Sequence, residues 1–412
     1  MKIGASLLAA AMLLAFAPVT AHAETEAVTE ETQDTTEKSS KKTTEDGWFS
    51  YGFDEEGNVE IYDFNMHGYL GEVVVPSEIE GKPVVYLGNA CFLEAFNLTS
   101  VVIPASVESM GESVFFGCSS LEKITVEEGN PYYTSTEDGI LMGDDEKFLV
   151  CYPAGKPEES YTIPDTVDEI AAGCFAYAKN LKTVEIPDSV LYVDNWSFAY
   201  SKIESIALPD SVIEVDDYAF AYCENLSDVD LGNGIQSIAN AGFAFCPSLK
   251  EITIPESLSY VGQYAFAATG MKSVTIPVTL ANIDYCAFGY NEDLHAINDF
   301  VIYGVAGSAA QIYAEAVDED NSYMNDFPFL EIEAEGASEA ADPADSAAEQ
   351  KETDPAEDPA APAAKENNPL PIILGVCGGI IAVLAAVLIV LLVKKPAAKK
   401  EDGAEQKNED EA

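Results

Sequence analysis

Residues able to do chemistry are scarce in this chain. Three histidines, His22, His67 and His295, stand far apart, and all 20 basic residues are lysine. Histidine metal sites and Ser/Cys-His catalysis therefore lack raw material. Without arginine there is no bidentate clamp for phosphate, and 72 acidic residues give a net charge of -52, which excludes nucleic acid as a ligand. Acidic pairs such as Asp144-Asp145 and Asp216-Asp217, and the run Asp318-Glu319-Asp320, invite a calcium or catalytic-carboxylate reading. The run lacks the glycine and closing glutamate of an EF-hand loop. Residues 47–330 hold 46 acids against 9 lysines, so neighbouring carboxylates follow from arithmetic, and solubility explains them. No catalytic residue, metal or cofactor is expected.

The positioning elements are read from both ends inward. Residues 1–23 carry Lys2, an apolar stretch and the small-residue exit Ala21-His22-Ala23, the pattern of a secretory signal peptide. Residues 370–393 are uncharged and long enough to cross a bilayer, which predicts a transmembrane helix. Lys394, Lys395, Lys399 and Lys400 follow it, so the tail 394–412 is expected in the cytoplasm and the bulk of the chain outside, a single-pass type I arrangement. Residues 24–46, rich in Thr and Glu, and 331–368, with 12 acids against 2 lysines among Ala and Pro, read as a disordered linker and a disordered stalk.

Between them the chain repeats. A Phe recurs at Phe92, Phe115, Phe175, Phe198, Phe220, Phe243, Phe266 and Phe288, with spacings of 23, 60, 23, 22, 23, 23 and 22. Both 22-residue steps lose their residue in the same loop, between the Phe and the next aliphatic anchor (Phe198 to Ile203, Phe266 to Met271), so the register is secure. Each repeat holds an alternating stretch ending in proline, such as LKTVEIP, which reads as a short strand and turn. The stretch after it, through VDNWSFAY, reads as a short helical or irregular return. One repeat cannot bury its own apolar side, so the repeats must stack into a solenoid of mainly short β-strands. The long spacing predicts a β-hairpin insertion near 127–160, with GILMG and KFLVCYP as its strands.

DDYAFAYCENLSDV and NAGFAFCPSLKEI resemble the BspA-like leucine-rich repeats of bacterial cell-surface proteins, a likeness that runs over residues 47–330. The resemblance implies a leucine-rich-repeat solenoid, with a strand-rich cap at WFSYGFDEEGNVEIYDF and a strand-then-helix cap at DFVIYGVAGSAAQIYAEA. It also implies a role in adhesion or protein binding, without naming a ligand. Together with the signal peptide it favours a Gram-positive host, although no LPxTG-like sorting signal precedes the span. Cys118, Cys223 and Cys246 stand where the family pattern has Cys, as small buried hydrophobes. Cys223 and Cys246 lie in adjacent repeats, near enough for a disulfide, but in-register side chains that point alongside each other favour free thiols.

Two residues after the repeat Phe stands a second series, Tyr177, Tyr200, Tyr222, Phe245 and Tyr290. If it faces outward, it is an aromatic strip able to stack on sugars or enter a protein groove. The competing reading packs each ring on the next repeat as part of the solenoid wall. The sequence thus predicts a non-catalytic, membrane-anchored surface protein that binds a protein or glycan partner. The alternative is a structural element of the cell envelope.

Overall fold

The computed structural model describes residues 41–66, 68–143, 146–316 and 325–333. The expected signal peptide, most of the linker, the stalk beyond 333, the membrane span and the tail lie outside the described residues. Among the described residues no helix is long and apolar enough to cross a membrane.

One coil shows how the others are made. Thr183–Glu185 buries Val184 and exposes its two neighbours, and it pairs in parallel with Ser160–Thr162 and Ser205–Ala207. Pro187 ends the strand and its carbonyl accepts the Val190 N–H at 3.1 Å, closing the turn. A second strand then forms, Tyr192–Val193, which pairs in parallel with Glu169–Ile170 and Glu214–Val215. This second strand, absent from the sequence reading, builds the longest sheet among the described residues, with nine strands. Two residues are too few to show alternation, which is why the pattern hides it.

The return is irregular and contains no helix; the one helix in the described residues is Ala309–Ala314. Its backbone alternates. The N–H groups of Trp196, Phe198 and Tyr200 donate to the carbonyls of Asp217, Ala219 and Ala221 in the next coil, at 3.1, 2.7 and 2.9 Å. Those of Ser197, Ala199 and Ser201 donate three residues back within their own coil. The alternation requires left-handed backbone at Trp196 (φ 58°) and Tyr200 (φ 60°), which costs roughly 1–2 kcal/mol per L-residue and is offset by the bonds it creates.

The repeat Phe side chains form the core column. From Phe175 to Phe288 successive rings lie 4.7, 4.9, 4.9, 5.4 and 4.9 Å apart and within 8° of parallel, and all are fully buried. The deleted residues fall where the sequence places them: Val184 pairs with Ile206 and Val193 with Val215, 22 residues apart, while Ile206 pairs with Val229 and Val215 with Ile238, 23 apart.

The expected hairpin is a three-stranded meander joined to the solenoid. Tyr133–Ser135, Leu141–Gly143 and Phe148–Cys151 pair antiparallel, and the last pairs in parallel with Glu169–Ile170, so the nine-stranded sheet starts here. Asn130 holds the entry: its Nδ2 donates to Pro104 O and Val107 O, and its Oδ1 accepts the N–H groups of Tyr132 and Tyr133. The insertion also contains a degenerate coil. Tyr152 stands 23 residues before Phe175, donates its N–H to Cys174 O at 3.0 Å, and packs its ring 5.3 Å from Phe175.

Both ends are capped, and order runs slightly past the bounds expected from sequence. Lys42–Thr43 pairs antiparallel with Phe49–Phe53 inside the expected linker 24–46, because Thr44 and Asp46 close the turn between them. At the other end Phe329–Glu331 adds to Val301–Gly304 at the edge of the expected stalk 331–368. The helix Ala309–Ala314 supplies Tyr313, whose hydroxyl accepts the Phe288 N–H and donates to Phe288 O, each at 2.8 Å. It stands in for the coil that does not follow.

Two tyrosines, one standing in the Phe column and one capping it, give opposite predictions. Tyr313→Phe leaves the last Phe amide unpaired and is expected to cost about 2 kcal/mol. Tyr152 is buried with its hydroxyl unpaired, so Tyr152→Phe restores the column residue and is expected to stabilise the fold. Thermal unfolding of both variants checks the signs; two shifts in the same direction would contradict the assignment.

Candidate functional site

Four of the five residues in the candidate strip come together. The rings of Tyr177, Tyr200, Tyr222 and Phe245 stack at 4.7, 4.5 and 4.7 Å, with interplanar angles of 14°, 2° and 6°. All four adopt φ near +60°, so the return's left-handed positions place them in one column. They are half-buried, and each face between two rings is occupied by a neighbour. The outward strip of exposed faces is therefore not what forms: the inner rings cover one another face to face, which removes face-on sugar stacking along the column.

Tyr290 does not join them. It is 5% exposed, its hydroxyl bonds Asn325 Oδ1, and Phe327 packs against it edge-on at 5.9 Å. The coil between carries Ala268, so the strip stops at Phe245.

A second column escaped the sequence reading. Trp196 and Tyr218, two residues before the repeat Phe, stack at 4.3 Å and 5°. Phe116 bridges the columns, with edge contacts to Tyr177 at 5.2 Å and Trp196 at 5.8 Å. The signal was present: Trp196, Tyr218 and Tyr264 keep the repeat register.

Two carboxylates act on these rings, Glu94 on Tyr177 and Tyr200 and Asp217 on Tyr218. Burial pushes Asp194, Asp217, Glu112 and Glu214 up, and like charge adds to it, from Asp216 on Asp194 and from Asp194 on Glu112. Asp194 accepts the Asn195 N–H at 2.6 Å and Asp217 the Asn240 N–H at 2.7 Å. The phenols are pushed up as well, mainly by burial, with Glu94 adding to the shift at Tyr177 and Tyr200.

Other candidates have structural uses. The seven cysteines described are free and buried. Cys118, Cys223 and Cys246 each point an Sγ at the carbonyl of the preceding coil's Phe, at 3.1, 3.1 and 3.2 Å. Burial pushes Cys151 up to about 12 and Cys118, Cys174 and Cys246 well above the usual thiol range, so these four are thiols and not thiolates. Asp216 and Asp217 each accept a backbone N–H, while Asp144-Asp145 and the run 318–320 lie outside the described residues. Lys156, unremarked in sequence, is a buried cation that donates to Asp138 O at 2.9 Å and sits 3.6 Å from Asp138 Oδ2.

The profile of the BspA type leucine rich repeat region matches in six copies, over residues 60–137 and 168–295, half of the chain. The chain belongs to this family. Its solenoid is similar to solved leucine-rich repeat proteins from Eubacterium ventriosum (22% identical, covering 48% of this chain and 65% of that one, TM-score 0.34) and Bacteroides ovatus (22%, 62% and 69%, TM-score 0.38). It is also similar to the pneumococcal vaccine antigen PcpA (16%, 72% and 99%, TM-score 0.43). No curated protein matches the chain.

The carboxylates of this BspA-type face give a pH prediction. A folded-state pKa raised above the unfolded value means that the charged form is disfavoured by folding, so the penalty is present at neutral pH and absent below the unfolded pKa of about 3.9. Asp194→Asn keeps an acceptor for Asn195 and is expected to raise the unfolding temperature at neutral pH, with the gain vanishing in acid. A gain that persists at low pH would contradict the burial of Asp194.

Proposed function

We propose that this BspA-type protein is a non-catalytic recognition protein of the cell surface. Its signal peptide exports it, the helix at 370–393 anchors it with the C-terminus inside, and the acidic stalk holds the solenoid away from the bilayer. In this reading it binds a protein or glycan partner through the edges of the two aromatic columns and the carboxylates beside them. The observation that carries the reading is the grouping of Tyr177, Tyr200, Trp196 and Tyr218, bridged by Phe116, with the charge of Glu94 acting on Tyr177 and Tyr200 and that of Asp217 on Tyr218. The geometry narrows the chemistry: a partner that meets phenol edges and carboxylates offers hydrogen-bond donors or positive charge, not a flat sugar face.

The second reading is a structural element of the cell envelope, and the face-to-face packing of the column favours it. The two diverge in a binding experiment with the full chain against host matrix proteins, a glycan panel and the producing cells' own envelope. The first reading expects saturable, salt-sensitive binding to an external partner, lost on changing Tyr177, Tyr200 and Tyr222 to Ser in a chain whose circular dichroism is unchanged. Binding only to the producer's envelope supports the second.

A further inference from the structure

The coil stack begins with an open edge. Gly71–Val74 pairs with Leu98–Ile103 and with no other strand among the described residues. Val75 donates its N–H to Val102 O at 2.9 Å, so by alternation the N–H and C=O of Val74 point to the open side. Beside this strand lies a cleft of about 470 Å³, walled by Asp46 and Trp48 of the N-terminal cap and by Glu72, Val74, Glu78 and Ile79. The cap is held in place: Trp48 packs 4.8 Å from Tyr69, and Lys42 pairs with Glu80 at 2.9 Å. The edge is apolar where an edge strand is ordinarily protected. Leu70 is 73% exposed and Val74 56%.

We propose that this cleft receives an extended, basic segment of a partner protein, which adds as a further strand to Gly71–Val74. Three features argue for that occupant. The open backbone groups recognise any extended chain, Val74 and Leu70 offer contact to alternate apolar side chains, and Asp46, Glu72 and Glu78 favour lysine or arginine at the others. A second copy of this chain fits poorly. Self-pairing of Gly71–Val74 sets Glu72 against Glu72, another of its edge strands, Phe329–Glu331, brings Glu331 and the nearby Glu333 against the same three carboxylates, and the whole chain carries a charge of -52. The site uses none of Tyr177, Tyr200, Tyr222, Phe245, Trp196 and Tyr218 and stands or falls separately from the reading above.

The test titrates the full chain with a short peptide alternating lysine and valine, and with the same peptide N-methylated on the amides of one edge. Calorimetry gives the affinity. Fluorescence of a Trp196→Phe chain, whose remaining tryptophan is Trp48, reports the cleft. The proposal expects saturable binding with a change in Trp48 emission, and binding weakened roughly fivefold or more by methylation, the loss of a few backbone hydrogen bonds. Val74→Pro, which removes an outward N–H at an edge position that tolerates proline, is expected to weaken binding similarly at an unchanged unfolding temperature. Glu72→Lys is expected to weaken it and to flatten its salt dependence, while Tyr200→Ser leaves it intact. Equal affinity for the methylated peptide would show charge attraction alone and overturn the proposal, as would a silent Trp48. Sedimentation showing a dimer that Val74→Pro dissolves would overturn it in favour of a second copy. Should Val74→Pro fail to fold, the methylated peptide alone decides.

Discussion

The backbone of the return cannot satisfy itself. Every second amide there, as at Trp196, Phe198 and Tyr200, has its acceptor in the next coil, so a coil without a neighbour leaves a row of buried donors unpaired. Stacking is thereby required, and its register is fixed to the residue. The parallel pairing of the strands follows the same step, including the two places where it shortens to 22, Val193 with Val215 and Val261 with Ile283. The ends must then imitate coils: the Phe49 and Phe64 rings continue the aromatic column at one end, and the Tyr313 hydroxyl replaces the missing backbone partner at the other.

The same constraint shapes the candidate surface. Alternating hydrogen bonds force two left-handed residues into each return, and side chains at those positions line up one above another at the coil spacing. Aromatic residues there become columns, with Tyr177, Tyr200, Tyr222 and Phe245 in one and Trp196 and Tyr218 in the other. Stacking contributes back to stability through ring contact, at the cost of hiding the ring faces. What the stacking leaves uncovered is the rim of each column.

Much of the fold was legible in sequence because one large buried residue per coil, the repeat Phe, cannot move without breaking the column. Its spacing gave the register, the site of the deletions and the need to stack. Tyr152 was missed because a tyrosine stands for the phenylalanine, although its distance to Phe175 is a full repeat. The second strand was missed because two residues, such as Tyr192–Val193, carry no readable period. The left-handed positions were hidden by bulky side chains that disfavour that backbone. Gly117 and Gly173, with φ of 81° and 69°, occupy the registers of Tyr177 and Trp196, and were the available hint. Half-burial of the column depends on neighbours across coils, which a linear pattern does not display.

Stability that resides in contacts between neighbouring coils implies that adjacent column residues are energetically coupled and distant ones are not. A double-mutant cycle by urea unfolding, Phe198→Leu with Phe220→Leu beside Phe175→Leu with Phe266→Leu, measures this directly. The adjacent pair is predicted to deviate from additivity by about 0.5–1.5 kcal/mol and the distant pair to add within about 0.5 kcal/mol. Additivity in the adjacent pair, or equal coupling in both, would contradict the account.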